Sequence, residues 1–385
     1  MKILMITDVY FPRINGVSTS IATFKQAFEA AGHQLTLIAP QYLAPYDDDA
    51  AIIRVSSRRV PFDPEDRMLK YREVLALAPT LAAEGYDILH IQTPFLAHYL
   101  GLKLARRLDI PCVESYHTYF EEYLFHYLPL VPDAWMRALA RQFSRGQCNA
   151  VNAVIVPSRA MQTVLQNYGV ATPQHVIPTG IPLELFAHGD GQAFRQSLGI
   201  APHTPVLTHV GRIAHEKNVD FLLRVVQRIK AQQPDVMLLL TGEGPALAHI
   251  KQLAATLGLN DNIRFLGYLD RRTRLADCYA AGDVFIFASR TETQGLVLLE
   301  SMAAGVPVVA LSIMGTRDIL EPGLGALVAQ DDEADFARQV LTLLQDRALR
   351  ERLSHEARDY ATRWSVPHTA QQTLAVYAQC VAARR

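Results

Sequence analysis

The chain has few cysteines for its length, and none is placed for a metal or a disulfide framework. Four cysteines stand far apart in 385 residues, and no Cys-x-x-Cys pair occurs among them. Zinc sites and disulfide-stapled domains both need closely spaced cysteines. We therefore expect reduced thiols in a cytosolic protein, at Cys112, Cys148, Cys278 and Cys380.

An excess of charge of one sign is also missing. Lysine and arginine number 37 against 38 aspartates and glutamates, which gives a net charge of −1. Bulk charge therefore predicts no nucleic-acid partner. The thirteen histidines are dispersed without a His-x-x-x-His pair. The acidic run Asp47–Asp49 is typical of a solvated loop, so we expect no metal site and no metal or other cofactor.

Long apolar runs are absent as well. No stretch approaches the roughly 18–20 apolar residues of a transmembrane helix. The apolar run before Asp8 is too short for the core of a secretory signal and is predicted to be a buried strand. Any membrane contact is expected to be peripheral, on the cytoplasmic side.

What the chain does contain is a regular alternation of strand-like and helix-like segments, which favours parallel sheets covered by helices. The predicted strands are Lys2–Thr7, Gln34–Ala39, Ile52–Val55, Ile88–Gln92, Cys112–Ser115, Ala153–Val156, His175–Ile177, Val206–Val210, Met237–Thr241, Ile263–Leu266, Val284–Ala288, Val308–Leu311 and Ala326–Val328. The predicted helices are Gly16–Ala31, Met68–Glu84, Ala97–Leu108, Asp133–Asn149, Ser158–Tyr168, Val219–Ala231, Ala246–Leu257, Leu275–Ala281, Leu296–Ala304, Glu333–Asp346 and a last one from about His368.

The cluster of proline and glycine at Pro178–Pro182 predicts a boundary between two α/β domains. His188–Gly191, just after it, is predicted to be a flexible surface turn.

The segment from Glu292 to Glu300 carries two carboxylates eight residues apart. It follows the strand-like run Asp283–Ser289, so Glu292 is predicted in a strand-to-helix loop and Glu300 about two turns into the helix. The amides of Gln294, Gly295 and Leu296 would then lie at a helix N-terminus, which suits a phosphate, while the carboxylates suit sugar hydroxyls. The alternative is that Glu292 only complements the helix dipole and Glu300 lies on a solvated face.

Arg212 and Lys217 follow the strand Val206–Val210 and are predicted at the carboxyl edge of a sheet, where open α/β folds bind ligands. Two cations there could neutralise a diphosphate. Taken alone, the segment favours the simpler interpretation, a surface loop with ordinary solvated charges.

These motifs together resemble the family 4 retaining glycosyltransferases. The resemblance rests on their order: Tyr10–Val17, Ser115–Thr118, Gly211–Asn218, Gly242–Pro245, Glu292–Glu300 and Ala304–Val309. It implies the α/β fold called GT-B, two Rossmann-like domains facing across a cleft, and transfer from a nucleotide-diphosphate sugar without a metal. It also implies an acceptor domain at 1–179, a nucleotide-sugar domain at 180–365 and a C-terminal helix, about 366–385, that packs back on the first.

The same resemblance implies roles for the site residues. Gly16, Arg212 and Lys217 would hold the diphosphate. Glu292 would hold the sugar and phosphate, together with the amides of Gln294, Gly295 and Leu296. Glu300 would bind the ribose. His117 would reach the donor sugar, by donating a hydrogen bond or by helping to hold the acceptor. Because the leaving phosphate itself takes the acceptor proton in such enzymes, positioning and charge stabilisation are the expected catalytic terms. The chain departs from the family at Gln294, where phenylalanine or tyrosine is common, and this leaves the donor sugar open.

Two segments suggest a lipid acceptor. Tyr116–Tyr127 is rich in aromatic residues and resembles the bacterial diacylglycerol glucosyltransferase subgroup. Arg137, Arg141 and Arg145 recur on one predicted helix face, with Trp135, Leu139 and Phe143 between them, which fits an anionic membrane surface. Solvated, snorkelling arginines are the equal alternative. Five further arginines could extend this basic surface: Arg54, Arg58, Arg59, Arg106 and Arg107.

We therefore expect a hexosyltransferase acting on a nucleotide sugar such as UDP-glucose and a membrane lipid such as diacylglycerol, at the inner face of the cell membrane. The alternatives are a transferase, for example one using GDP-mannose, that extends a phosphoinositide, oligosaccharide or soluble glycan, and a non-catalytic binding protein of the same fold.

Overall fold

The computed structural model of the chain describes residues 1–13, 16–43, 47–60, 63–117, 133–271 and 273–384. The chain folds into two compact units. The first comprises Met1–Gly180 together with Val366–Arg385, and the second comprises Ile181–Ser365.

The first unit contains a parallel sheet of seven strands in the order β3-β2-β1-β6-β7-β8-β9. Its strands, with a separate hairpin of β4 and β5, are β1 (Lys2–Ile6), β2 (Gln34–Pro40), β3 (Ile52–Val55), β4 (Ser57–Val60), β5 (Asp63–Leu69), β6 (Ile88–Ile91), β7 (Cys112–Ser115), β8 (Ala153–Val156) and β9 (Gln174–Val176). The helices before the crossing into the second unit are α1 (Gly16–Ala30), α2 (Tyr71–Ala76), α3 (Ala78–Glu84), α4 (Leu96–Leu108), α5 (Asp133–Cys148) and α6 (Arg159–Asn167).

The second unit contains a parallel sheet of six strands in the order β12-β11-β10-β13-β14-β15. The strands are β10 (Val206–Val210), β11 (Met237–Thr241), β12 (Ile263–Gly267), β13 (Val284–Phe287), β14 (Val308–Leu311) and β15 (Ala326–Ala329). The helices are α7 (Leu183–Phe186), α8 (Gly191–Ser197), α9 (Val219–Lys230), α10 (Leu247–Thr256), α11 (Leu275–Ala280), α12 (Leu296–Ala303), α13 (Thr316–Leu320), α14 (Glu333–Gln345) and α15 (Arg347–Ala361), with 3-10 turns at His215–Lys217 and Thr362–Trp364.

Helix α16 (Val366–Ala382) is last in the chain but belongs to the first unit. Its buried face includes Ala370, Val376 and Tyr377, which join the apolar core formed by β1, β2 and α1. The ring of Tyr377 packs on that of Phe28 with their centroids 5.8 Å apart.

These sheets confirm the predicted α/β class with two Rossmann-like domains. The residues of the inner strands are almost all buried, as expected for parallel strands covered on both faces, whereas those of the edge strands β3, β9 and β12 are mostly half-buried. In each sheet the chain order reverses once, between β1 and β6 in the first and between β10 and β13 in the second. Such a switch point opens a crevice at the carboxyl ends of the two strands.

The predicted helix Met68–Glu84 is wrong. Met68 lies in the antiparallel hairpin of β4 and β5, and the helical part is broken into α2 and α3 at Leu77. Pro79 explains the break, because a proline is tolerated only in the first turn of a helix, where it lies in α3.

The segment His188–Gly191, predicted to be a flexible surface turn, is exposed at His188 and Asp190 and leads directly into α8. Asp190 is the N-cap of α8, where its side chain accepts a hydrogen bond from the Ala193 amide at 2.9 Å. Its own amide donates to the Asp277 carboxylate at 2.7 Å. The segment is therefore fixed at both of these points.

Candidate functional site

The switch point of the second sheet brings two of the predicted motifs side by side. β10 pairs directly with β13. The loop with Arg212 and Lys217 leaves the carboxyl end of β10, and the loop with Glu292 leaves that of β13. Asn218, in the left-handed region at φ 58°, ties the loops together, since its side-chain amide donates to the Ala288 carbonyl at 3.3 Å.

The Gly242–Pro245 motif packs against the loop that contains Arg212 and Lys217. The Ile213 amide donates to the Glu243 carbonyl at 2.9 Å. At Gly242, which has φ 130°, a Cβ atom would lie 1.9 Å from the Gly211 carbonyl oxygen. No other residue type fits there. Glycine at this position therefore allows the backbone of the Arg212 loop to pack closely against Gly242.

Lys217 and Glu292 meet at the mouth of the crevice. The Lys217 ammonium donates to Glu292 Oε1 at 2.5 Å, and both side chains are about four-fifths buried, at 21% and 19% exposure. The Arg212 side chain is 65% exposed, and its nearest carboxylate is that of Glu216 at 3.9 Å. A cation and a carboxylate therefore stand together at the switch point, beside an arginine that can reach a ligand.

The N-terminus of α12 lies next to this pair. Its N-cap, Gly295, has φ 94°, and no side chain accepts a hydrogen bond there. A Cβ at Gly295 would lie 2.8 Å from the Leu298 side chain. The Gly315 amide donates to the Glu292 carbonyl at 2.9 Å and fixes the loop. An uncapped helix N-terminus leaves first-turn amides able to bind an anion.

Glu300 is the fifth residue of α12, a little over one turn into the helix, where two turns were predicted. It does not lie on a solvated face, since it is 5% exposed. The buried Tyr279 hydroxyl donates to Glu300 Oε2 at 2.8 Å, and Arg271 donates to Oε1. Burial, with the adjacent Glu300 carboxylate, raises the pKa of Tyr279 well above its usual value.

The sequence analysis missed His209, which lies beneath the Arg212 loop. Its ring is fully buried between Phe285 and Phe287, with centroids 6.4 and 5.8 Å away. Nδ1 donates to the Ile286 carbonyl at 3.1 Å, whereas Nε2 has no hydrogen-bond partner in the part of the chain that the structure describes. Burial lowers the pKa of His209 to about 4. Neither Arg271 nor Tyr279 was singled out from the sequence, because each meets Glu300 only through the fold.

Gly16 and His117 belong to the first unit. Gly16 is the first residue of α1, and a Cβ added there would meet none of the described atoms within 4 Å. Intramolecular packing therefore does not demand glycine at this position. His117 comes two residues after β7, and its Nε2 lies 3.2 Å from Gln92 Oε1. Burial lowers the pKa of His117 to about 4, so the ring is neutral near pH 7.

The structure places part of the predicted acceptor surface. On α5, Trp135 is 75% exposed and Leu139 is 56% exposed. Arg141 and Arg145 are also exposed on this helix, with Arg141 over the Tyr168 ring. The side chain of Arg137 and the segment from 118 to 132 lie outside the described residues.

Two residues predicted for this surface face the interior. Tyr116 is buried, with its hydroxyl 2.9 Å from the Ser144 hydroxyl. Arg54 is 16% exposed and binds the Asp48 carboxylate at 2.7 Å and the Phe11 carbonyl at 2.8 Å. Arg54 therefore does not extend a basic surface.

Comparison with known proteins defines the class of this molecule. Residues 14–185 match the sequence model described as Glycosyltransferase Family 4, and residues 190–360 match that described as Glycosyl transferases group 1. An alpha-monoglucosyldiacylglycerol synthase of Streptococcus pneumoniae is 36% identical over 80% of this chain and 71% of its own length. A D-inositol 3-phosphate glycosyltransferase of Catenulispora acidiphila is 32% identical over 77% of this chain and 71% of its own.

Solved structures share the fold. HepE from Anabaena, crystallised with UDP and glucose, aligns over 98% of this chain and 100% of its own with a TM-score of 0.78 at 19% identity. Sucrose-phosphate synthase from Thermosynechococcus elongatus aligns over 100% of both chains with a TM-score of 0.80 at 21% identity. The architecture is thus GT-B. The chain belongs to the family 4 glycosyltransferases, as its motifs indicated.

Proposed function

We propose that this glycosyltransferase moves a hexose, with retention of configuration, from a nucleotide-diphosphate sugar such as UDP-glucose to a membrane lipid such as diacylglycerol. The observation that carries the proposal is the Lys217–Glu292 pair at the switch point, 2.5 Å apart and next to the uncapped N-terminus of α12. It supplies charge for a diphosphate and a carboxylate for sugar hydroxyls in one place.

The donor would bind as follows. Lys217 and Arg212 face the diphosphate, with Gly16 lending an amide from the first unit. When the diphosphate takes over Lys217, Glu292 is left to accept hydrogen bonds from sugar hydroxyls, with Gln294, Gly295 and Leu296 at the helix N-terminus. Developing negative charge on the leaving diphosphate is stabilised by fixed cations and amides, which is the main catalytic term for this chemistry.

Glu300 would bind the ribose hydroxyls, but both of its oxygens already have partners. The Tyr279 hydroxyl holds Oε2 from the buried side, at 2.8 Å, and this contact orients the carboxylate. The Arg271 guanidinium on Oε1 is the contact that a ribose would replace or share. His117 would act beside the reacting sugar. Donor binding in this proposal needs no metal and no other cofactor.

The acceptor assignment rests on the relatives and on α5. The synthases from Streptococcus pneumoniae and Acholeplasma laidlawii are named for monoglucosyldiacylglycerol, and the second is 28% identical over 80% of both chains. Trp135, Leu139, Arg141 and Arg145 are all exposed on this one helix, which suits an anionic lipid surface. The enzyme would therefore work as a peripheral protein on the cytoplasmic face of the membrane. Among the described helices, none has the length and apolarity to cross a bilayer.

The names of other relatives favour a second candidate. Besides the inositol 3-phosphate enzyme, a GDP-mannose-dependent alpha-mannosyltransferase of Mycobacterium tuberculosis is 29% identical over 84% of this chain and 82% of its own. An enzyme of this kind would use GDP-mannose and a phosphoinositide or glycan acceptor.

One assay separates these candidates. The purified chain is offered UDP-glucose or GDP-mannose, each with diacylglycerol in mixed micelles that contain anionic lipid, or with inositol 3-phosphate in solution. We expect a glucosylated diacylglycerol by mass spectrometry, with the α-anomeric configuration by NMR and unchanged yield in EDTA. Transfer only to the soluble acceptor would favour the second candidate, and donor binding without any transfer would favour a non-catalytic protein.

A further inference from the structure

A chain of buried side chains connects His117 to the C-terminal helix. Gln92 follows β6, the neighbour of β7 in the sheet, and is 1% exposed. Its Oε1 lies 3.2 Å from His117 Nε2. Its Nε2 lies 3.0 Å from His90 Nδ1 and 3.6 Å from Met5 Sδ. His90 in turn contacts the hydroxyl of Tyr377 on α16.

The donors and acceptors of this chain fix the orientation of the Gln92 amide. The sulfur of Met5 and Nδ1 of His90 can both accept hydrogen bonds, and an amide nitrogen has two hydrogens to donate. Turning the amide over would place its oxygen against the Met5 sulfur, which has no hydrogen to offer. The amide oxygen of Gln92 therefore faces His117.

A carbonyl oxygen can only accept, so the His117 nitrogen that faces it must carry a hydrogen. In a neutral imidazole the other nitrogen then holds a lone pair. The lone pair of His117 consequently lies on Nδ1. Among the described residues, Gln92 is the hydrogen-bond partner of His117.

The tautomer of His90, the next residue of the chain, follows from its partners in the same way. Two donors, the Gln92 amide and the Tyr377 hydroxyl, converge on His90 Nδ1. The hydrogen of the His90 ring is then on Nε2, where the Ser115 hydroxyl oxygen accepts it at 2.9 Å. Burial lowers the pKa of His90 to about 3, so this ring stays neutral and keeps its acceptor. Tyr377 and Gln92 therefore both donate towards the single lone pair of His90 Nδ1, and Gln92 in turn accepts from His117.

We propose that Gln92 is a positioning residue that holds His117 as the Nε2–H tautomer, so that His117 Nδ1 accepts a hydrogen bond from a substrate hydroxyl. His117 is then an acceptor towards the substrate and not a donor. The hydroxyl belongs to the transferred sugar or to the acceptor, and the proposal rests on the proposed glycosyl transfer. The C-terminal helix takes part through Tyr377, whose hydroxyl helps to keep His90 Nδ1 unprotonated, so that this nitrogen can accept from the Gln92 amide.

The test reads the tautomer directly, by long-range ¹H–¹⁵N correlation spectra of the full chain labelled in its histidines, with His117 assigned from its loss in His117→Gln. We expect the Nε2 of His117 to carry the hydrogen and Nδ1 to show the shift of an unprotonated ring nitrogen. UDP-glucose and the lipid acceptor are then added in separate experiments. The Nδ1 signal of His117 should shift only with the substrate whose hydroxyl donates to it. An Nδ1–H tautomer in the wild-type chain overturns the proposal, whether or not the enzyme transfers sugar.

Variants then test the part played by Gln92. Gln92→Met should leave a mixture of His117 tautomers and lower kcat roughly tenfold, the kinetic equivalent of one hydrogen bond, with the affinity for UDP unchanged. Gln92→Glu keeps an acceptor for Nε2–H and should keep the wild-type tautomer. Gln162→Met is the control, since the half-buried Gln162 side chain donates a hydrogen bond to the Gln174 carbonyl, at 3.2 Å, in the same unit. An unchanged tautomer in Gln92→Met would overturn the assignment.

Tyr377→Phe tests the far end of the chain, with Tyr86→Phe as its control. The Tyr86 hydroxyl donates to Thr36 at 2.8 Å, also in the first unit. We expect Tyr377→Phe to loosen the His117 tautomer and lower kcat while Tyr86→Phe changes neither. Equal effects from both variants would mean that only general stability is affected. If the wild-type chain transfers no sugar at all, the proposed function fails while the tautomer measurement still stands.

Discussion

At the scale of single residues, the contact between Lys217 and Glu292 decides how each variant should behave. Lys217→Ala removes a cation and also leaves a largely buried carboxylate unpaired, which repels a diphosphate. Arg212→Ala removes a mostly exposed side chain. We therefore expect a loss of about 1.5–3 kcal/mol in UDP binding for Lys217→Ala and a smaller loss for Arg212→Ala. Isothermal titration calorimetry checks the order, and equal affinity in all three proteins would remove both residues from the diphosphate site.

Glu292 is expected to matter for the sugar and not for the nucleotide. Glu292→Gln keeps the shape and a hydrogen-bond acceptor but removes the charge that pairs with Lys217. Turnover should fall by roughly 10²-fold or more, with UDP affinity equal to or tighter than that of the wild type, because Lys217 is then released for the phosphates. Steady-state kinetics with UDP titrations measure both quantities. Normal turnover with weakened UDP binding would show that the assignment is wrong.

The buried His209 should change the number of protons that the chain takes up when it unfolds. Its pKa is about 4 in the folded chain against 6.5 ordinarily. Between these values the unfolded chain binds a proton that the folded chain does not, so its contribution to stability is lost as the pH falls from 6.5 towards 4. Unfolding in urea at about pH 5.2 should take up about 0.9 proton less in His209→Phe than in the wild type.

The Phe variant suits the site because the ring already lies between Phe285 and Phe287. At about pH 8 the two proteins should take up equal numbers of protons, since both histidine states are then neutral. An equal uptake at the lower pH as well would mean that His209 is charged or solvated in the folded chain.

Residues such as His209, Gln92, Arg271 and Tyr279 show the limit of sequence reasoning at this scale. Their partners lie far along the chain: Tyr279 is 21 residues from Glu300, and Gln92 is 25 from His117. No local spacing marks these pairs. Lys217 and Glu292 could be singled out only because each follows a recognisable strand.

At the scale of elements, the parallel strands were predicted to within a residue or two, because buried strands form short apolar runs. The hairpin Ser57–Leu69 was missed, since its sequence is dominated by charges and holds two prolines, and it carries little apolar alternation. The helix break at Pro79 could also have been predicted from the proline. It was missed because the apolar residues continue with a helical period on both sides of it. The start of α8 at Gly191 was not predicted, because Asp and Gly are common both in turns and at helix N-termini.

Helix α5 carries the prediction that belongs to this scale. Trp135, Leu139, Arg141 and Arg145 are exposed on it, and its sequence also contains Arg137. Changing the three arginines to glutamate should weaken binding to anionic vesicles on the order of a hundredfold, since each is worth about 1 kcal/mol near such a surface. The effect should be larger at low salt.

Vesicle sedimentation measures this, with Trp135→Ser as a second variant that keeps the charge. Val328→Ser, which changes an exposed apolar residue of the second unit, is the matched control. UDP affinity should be unchanged in all of them. Equal sedimentation of the wild type and the triple variant would favour a soluble acceptor.

At the scale of the whole molecule, the path of the chain couples its last helix to its first unit. The second unit ends at Ser365, and α16 then returns to the core of the first through Ala370, Val376 and Tyr377, each 4% exposed or less. Each fully buried large side chain is worth about 1.5–3 kcal/mol. Whole domains are stable by only about 5–15 kcal/mol, so removing the helix should cost most of the stability of the first unit.

We therefore predict that a chain ending at Ser365 loses the calorimetric transition of the first unit while the second still melts cooperatively and binds UDP. Tyr377→Ala alone should lower the first transition by about 3–5 kcal/mol in stability. Removing only Arg384 and Arg385 is the control, because the contact of Arg384 with Asp109 is exposed. Loss of UDP binding on truncation, with the first transition intact, would mean that α16 serves the second unit instead. The expected pattern would confirm that α16 is part of the core of the first unit, where Tyr377 contacts His90.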